Sequence, residues 1–183
     1  MLRSFIAVPC PDELKGPLIE IQNSIKDFGK LKLVERENIH LTLRFLGNVD
    51  NTMIDRIINE LKFISETEKF EISLKGLGAF PNLNHIRVIW VGVSQGDETM
   101  KKIQKEIENK LSTLNFKIDN RFHSHFTIAR VKSLREKEKM QKFIREKSSR
   151  EFGNFCVKKI ELMESKLSPR GPTYSILHKF NLK

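Results

Sequence analysis

Cysteine is nearly absent: only Cys10 and Cys156 occur, far apart and outside any C-x-x-C pattern. That spacing excludes a disulfide framework and a cysteine-based zinc site, so each thiol is expected to act as a small buried apolar residue. No run approaches the roughly 18 to 20 consecutive apolar residues that a membrane helix needs. The opening Met1-Leu2-Arg3-Ser4-Phe5-Ile6-Ala7-Val8 is too short for a secretory signal and reads as a buried strand, so a cytoplasmic protein is expected. No glycine fingerprint follows any strand-like run, and no cluster of carboxylates is positioned to hold a metal. No low-complexity tract or linker divides the 183 residues, and residues 1–183 are taken as one domain.

What is abundant is positive charge. Against 23 Asp and Glu stand 33 Lys and Arg, a formal net charge of +10. A basic surface raises the local concentration of polyanions, which makes RNA, DNA or a nucleotide a sensible partner class. A lysine-rich solvated surface would give the same total.

Apolar spacing marks four helices. The first carries Leu14, Leu18, Ile21, Ile25 and Phe28 after Pro11-Asp12. The second carries Ile54, Ile57, Ile58, Leu61 and Ile64 after Asp50-Asn51, and the third Met100, Ile103, Ile107 and Leu111. The fourth is expected to start at Ser133, with Glu136 reaching back in a capping box, and to bury Met140, Phe143 and Ile144. Strand-like runs span 3–8, 39–46, 70–74, 86–93, 122–129, 155–163 and 174–182. Their irregular alternation with the helices predicts an α+β fold with mostly antiparallel sheets.

One short pattern occurs twice. His40-Leu41-Thr42-Leu43 and His125-Phe126-Thr127-Ile128 share the form His, apolar, Thr, apolar. With seven Thr placed at random, two of five His would have Thr at +2 roughly 1 time in 70, before the shared apolar residues are considered. On a strand, His40 and Thr42 point one way and Leu41 and Leu43 the other, and the second copy behaves alike. Two such strands side by side would line a groove with two imidazoles and two hydroxyls.

That set suits phosphodiester chemistry. Cleaving a P–O ester with water needs one group to take a proton from water and another to give one to the departing alkoxide. Imidazole, with a pKa of about 6.5, serves either role near neutrality. Threonine hydroxyls and a nearby arginine can hold the non-bridging oxygens. The alternatives are sheet histidines whose threonines merely favour strands, or a zinc site from His40, His123 and His125. The latter lacks a helix-spaced pair or an acidic ligand.

The chain resembles the 2H phosphoesterase superfamily, and within it the bacterial and archaeal RNA 2′,3′-cyclic phosphodiesterases, also called 2′-5′ RNA ligases. The resemblance rests on Arg3-Ser4-Phe5-Ile6-Ala7-Val8, on His40-Leu41-Thr42-Leu43-Arg44-Phe45-Leu46-Gly47, on His125-Phe126-Thr127-Ile128-Ala129-Arg130 and on the tail from Ser165 to Tyr174. It implies a bilobal fold of two mostly antiparallel sheets with flanking helices and pseudo-twofold symmetry, the two histidine strands meeting in a central cleft. It further implies hydrolysis of an RNA 2′,3′-cyclic phosphate to a 2′-phosphate without metal; no other cofactor is expected, and the protein is expected to be a monomer. His125 would be the base and His40 the acid. Thr42, Thr127 and Arg130 would bind phosphate, and Phe45 would either stack on the terminal base or belong to the core. His123 reads as a rim or structural residue. Arg44 would touch the RNA backbone or form a salt bridge, and Arg170 would lie in a turn near the cleft. Rival readings are ligation by the same two groups, an RNA-binding module without catalysis, and a phosphodiesterase for small cyclic nucleotides.

Overall fold

The computed structural model describes residues 1–169 and 171–183. Among the described residues, nine strands and four α-helices follow one another as β1 (Leu2–Pro9), α1 (Asp12–Ile25), β2 (Gly29–Leu33), β3 (His40–Val49), α2 (Asn51–Glu60), β4 (Phe70–Asn82), β5 (His85–Val93), α3 (Asp97–Ser112), β6 (His125–Leu134), α4 (Lys137–Glu146), β7 (Glu151–Val157), β8 (Lys159–Ser168) and β9 (Gly171–Asn181). Every strand pairing is antiparallel, as the sequence predicts.

The strands run β7-β4-β5-β6-β3-β1-β8-β9, with β2 added beside β6. In the middle of this path β3 meets β6 through a single pair, Leu41 opposite Phe126. The two expected sheets are therefore the two halves of one curled sheet, hinged at the histidine motifs. Read outward from the hinge, β3, β1, β8 and β9 answer to β6, β5, β4 and β7, which is the expected pseudo-twofold relation. The halves are interleaved: β4 comes from the first half of the chain but lies on the β6 side of the hinge, and β8 comes from the second half but lies on the β3 side.

The helices cover the faces turned away from the hinge groove. Against β6 and β7 packs α1, against β4 packs α4, and α3 packs on β3 with α2 beside it. Their stripes are buried as the spacing requires, with Leu18, Ile21, Ile25, Ile57, Met100, Ile107 and Met140 each 0% exposed. Asp50 caps α2 by accepting from the Met53 amide at 2.8 Å.

Four local expectations are corrected. Ser133 does not cap α4: it lies in β6 opposite Lys30, and the free amides of Arg135 and Glu136 donate to the Phe28 carbonyl instead. A backbone acceptor from a distant turn thus replaces the local capping box. The run 155–163 is two strands broken at Lys158, pairing with different partners. Phe28 lies in a 3₁₀ turn beyond α1, and the short β2 carries no strand signal strong enough to stand out of its lysines. Of the cysteines, Cys10 is buried, and burial pushes its thiol up to about 12, whereas Cys156 is only half-buried.

Candidate active site

Leu41 and Phe126 face each other across the hinge and are wholly buried, together with Leu43 and Ile128. Strand alternation then turns His40, Thr42, His125 and Thr127 to the opposite face. In antiparallel register each histidine sits across from the other motif's threonine. All four line one cleft of about 830 Å³.

Both imidazoles are oriented in the same way. His40 Nδ1 donates to the Asn38 carbonyl at 2.7 Å, and His125 Nδ1 donates to the His123 carbonyl at 2.7 Å. A carbonyl can only accept, so Nδ1 keeps its proton in either charge state, and Nε2 is the atom that gains or loses one. The arrangement differs at Nε2, where His40 meets the Thr42 hydroxyl at 2.9 Å. Asn38 is itself buried, and its side-chain amide donates to the Pro172 carbonyl at 3.0 Å, tying the β8–β9 hairpin to the start of β3.

Aromatic rings brace each imidazole. Phe5 lies 5.0 Å and Tyr174 5.3 Å from the His40 ring, while Phe80 lies 5.0 Å from the His125 ring with Trp90 behind it. Gly78 makes room for that indole, because a Cβ there would come within 2.2 Å of Trp90. These surroundings are apolar and the nearest charges are positive. Burial first, and then His125 and Arg130, push the His40 pKa down to about 4. Burial, His123 and Arg130 also lower that of His125. Both shifts favour the neutral rings in the unliganded protein, and a bound anion would favour the protonated ones.

Five residues past each histidine the walls diverge. Phe45, 60% exposed, projects at the cleft on the His40 side, which removes the core alternative. Arg130, exposed and without an ion-pair partner among the described residues, occupies the corresponding position on the His125 side. His123 is an exposed rim residue whose ring sits 4.8 Å from Trp90. Arg44 belongs to a structural network: its Nε lies 3.2 Å from Glu108 Oε1, and its Nη1 lies 3.8 Å from Asp119. Buried Glu108 also accepts from Gln104 at 2.9 Å and from the Asp119 amide at 3.0 Å. Arg170 lies outside the described residues. Among those described, no three His, Cys, Asp or Glu side chains gather as a metal site, and the three histidines of the zinc reading divide between the two walls.

Asn38 and Glu108 were not singled out from the sequence. The backbone carbonyl of Asn38 has no residue signature. Glu108 did leave one, since with Gln104 it places polar groups one turn apart within the buried stripe of α3.

Comparison with known proteins identifies the family. The model of the family described as LigT like Phosphoesterase matches the chain twice, over residues 8–90 and 91–174. A Methanocaldococcus jannaschii protein named RNA 2′,3′-cyclic phosphodiesterase is 39% identical over 96% of this chain and 98% of its own. A Methanothermobacter thermautotrophicus protein of the same name is 34% identical over 99% of both. The crystal structure of TT0787 from Thermus thermophilus superposes with a TM-score of 0.82 at 27% identity, covering 98% of this chain and 97% of that one.

Proposed function

The chain belongs to the LigT-like phosphoesterases, a 2H phosphoesterase family, and from that premise we propose that it opens RNA 2′,3′-cyclic phosphates to 2′-phosphates without a metal ion. The observation that carries the reading is the matched pair of imidazoles, each pinned through Nδ1 with Nε2 turned to one cleft. The names of the M. jannaschii and M. thermautotrophicus relatives supply the substrate class.

In this mechanism the cyclic phosphate sits between the two motifs. Its non-bridging oxygens accept from Thr127, Thr42 and the unpaired Arg130 guanidinium, whose fork suits them. His125 Nε2 takes a proton from water as the water oxygen bonds to phosphorus. The P–O3′ bond breaks, and His40 Nε2–H delivers its proton to O3′. The phosphate remains on O2′. His40 must arrive protonated, although its pKa in the free protein is about 4. The phosphate anion supplies the compensating charge on binding, so substrate and proton are taken up together. A 5′-hydroxyl in place of water would make a 2′-5′ linkage by the same transfers.

The strong depression at His40 favours one variant of this scheme, in which His40 is the base and His125 the acid. A substrate with sulfur in place of O3′ separates the two assignments, because a thiolate leaves without protonation. It should rescue the alanine variant of the acid and not that of the base. The primary test is hydrolysis, in EDTA, of an oligonucleotide ending in a 2′,3′-cyclic phosphate. Wild type should yield the 2′-phosphate, and His40→Ala and His125→Ala should each lose at least about 10²-fold. Activity surviving in either variant, or its loss in EDTA, would refute the reading.

A further inference from the structure

Beyond the cleft, the β2–β6 pairing carries a run of basic side chains continuous with the cleft wall. Lys32 lies directly opposite Arg130, so both share the cleft face, and Lys32 Nζ sits beside Gly171 of β9. Two residues further along each strand stand Lys30 and Lys132, both exposed and both outside the cleft lining. No Asp or Glu occurs in residues 29–34 or 125–134. Among the described residues, none of these four cations is in an ion pair.

Several helix lysines are instead neutralised locally. Lys15, Lys101, Lys139 and Lys142 each meet an acid one turn away. On the opposite wall, Arg44 is neutralised by Glu108 and Asp119. Arg3 on β1 also lines the cleft, exposed and outside any ion pair among the described residues. The run of free cations that continues beyond the lining, however, follows β2 and β6, across one register shift that sets Lys30 opposite Ser133. Alternate strand residues are about 6.6 Å apart, the scale of one extended nucleotide step.

We propose that this strip is the track for the RNA strand leading into the cleft. Lys32 holds the first phosphate upstream of the cyclic end, and Lys30 and Lys132 hold the phosphates beyond it. This rests on the cyclic-phosphodiesterase reading of the cleft and assigns its preferred substrate as a chain rather than a mononucleotide. Lysine suits the task because it holds phosphate as a point charge without demanding a sequence.

The test compares Lys30→Gln/Lys132→Gln with Lys139→Gln/Lys142→Gln, which changes net charge equally on α4. Each is assayed on a 2′,3′-cyclic mononucleotide and on an RNA of about ten nucleotides ending in the cyclic phosphate, across roughly 50 to 200 mM salt. For the longer RNA, the strip variant should raise KM about 5- to 10-fold with kcat unchanged, and flatten the log–log salt slope by about 1.4, near 0.7 per lost phosphate contact. The mononucleotide, with no upstream phosphate, should be hydrolysed as by wild type, and the α4 variant should alter neither substrate. Equal loss on both substrates, an unchanged salt slope or a matching loss in the α4 variant would overturn the track. Should wild type hydrolyse neither substrate, the cleft reading fails separately. Fluorescence anisotropy of the same RNA then judges the strip, with weaker binding by its variant expected and unchanged binding overturning it.

Discussion

The two walls of the cleft are built alike and finished differently. Each presents a histidine pinned by a carbonyl two residues earlier, a threonine at +2 and two bracing aromatic rings. Five residues on, one wall shows Phe45 and the other Arg130. Behind Phe45 the neighbouring arginine is neutralised by buried acid, whereas beside Arg130 the lysines are free. The shared features suit a reaction whose proton-transfer requirements are nearly symmetric, and the unshared ones make the ends of the groove chemically different, with an exposed aromatic ring at one and free positive charge at the other.

The comparison can be broken or sharpened by measurement. The largest effect is expected from the shared features. On the proposed mechanism the imidazoles act as a unit, so combining His40→Ala with His125→Ala should lower kcat no further than about the worse single variant, at 10²- to 10⁴-fold. Additive losses would mean that they work independently.

Next come the arginines. Arg44→Met leaves Glu108 buried with a lost cation and should cost about 3 kcal/mol in urea denaturation. Arg130→Met should leave that midpoint in place.

A pH effect should separate the histidines themselves. The His40 pKa is depressed in the folded state, so its stabilising contribution is full above pH 6.5 and is lost as pH falls from there towards about 4. The loss is at most about 1.4 kcal/mol per pH unit. Urea midpoints at neutral and mildly acidic pH should therefore converge in His40→Gln and less so in His125→Gln. Equal convergence would make the two environments equivalent.

Smaller again is the turnover loss in Arg130→Met, expected at about 10- to 100-fold from one charge-assisted hydrogen-bonding group. The smallest is Phe45→Ala, which should raise the KM for a cyclic mononucleotide about 5-fold, near 1 kcal/mol of stacking, without altering stability. A large fall in stability there would return Phe45 to a packing role.

The histidine motifs were legible because strand alternation is local: His40 and Thr42 share a face whatever lies around them. The same holds for the helix stripes. What stayed hidden depended on distant partners. The amides before α4 are satisfied by Phe28, a turn more than a hundred residues earlier, so the nearby Ser133–Glu136 pattern misled. Arg44 could be assigned only once the segment after α3 had brought Asp119 beside Glu108. Nothing local distinguishes Lys30 and Lys32 from other surface lysines; their place is set by β2 pairing with β6 beside Arg130.

The interleaving of β4 and β8 between the halves carries a further implication. Two identical half-chains related by a twofold axis would have to repeat every side chain on both walls, so a phenylalanine at one rim would face a phenylalanine at the other, and so too for arginine. Because the two matched segments are consecutive in one polypeptide, a substitution alters one wall and spares its counterpart. Covalent continuity thus frees the rims from the symmetry that the histidines and threonines keep, and a duplicated scaffold can tell the two ends of its ligand apart.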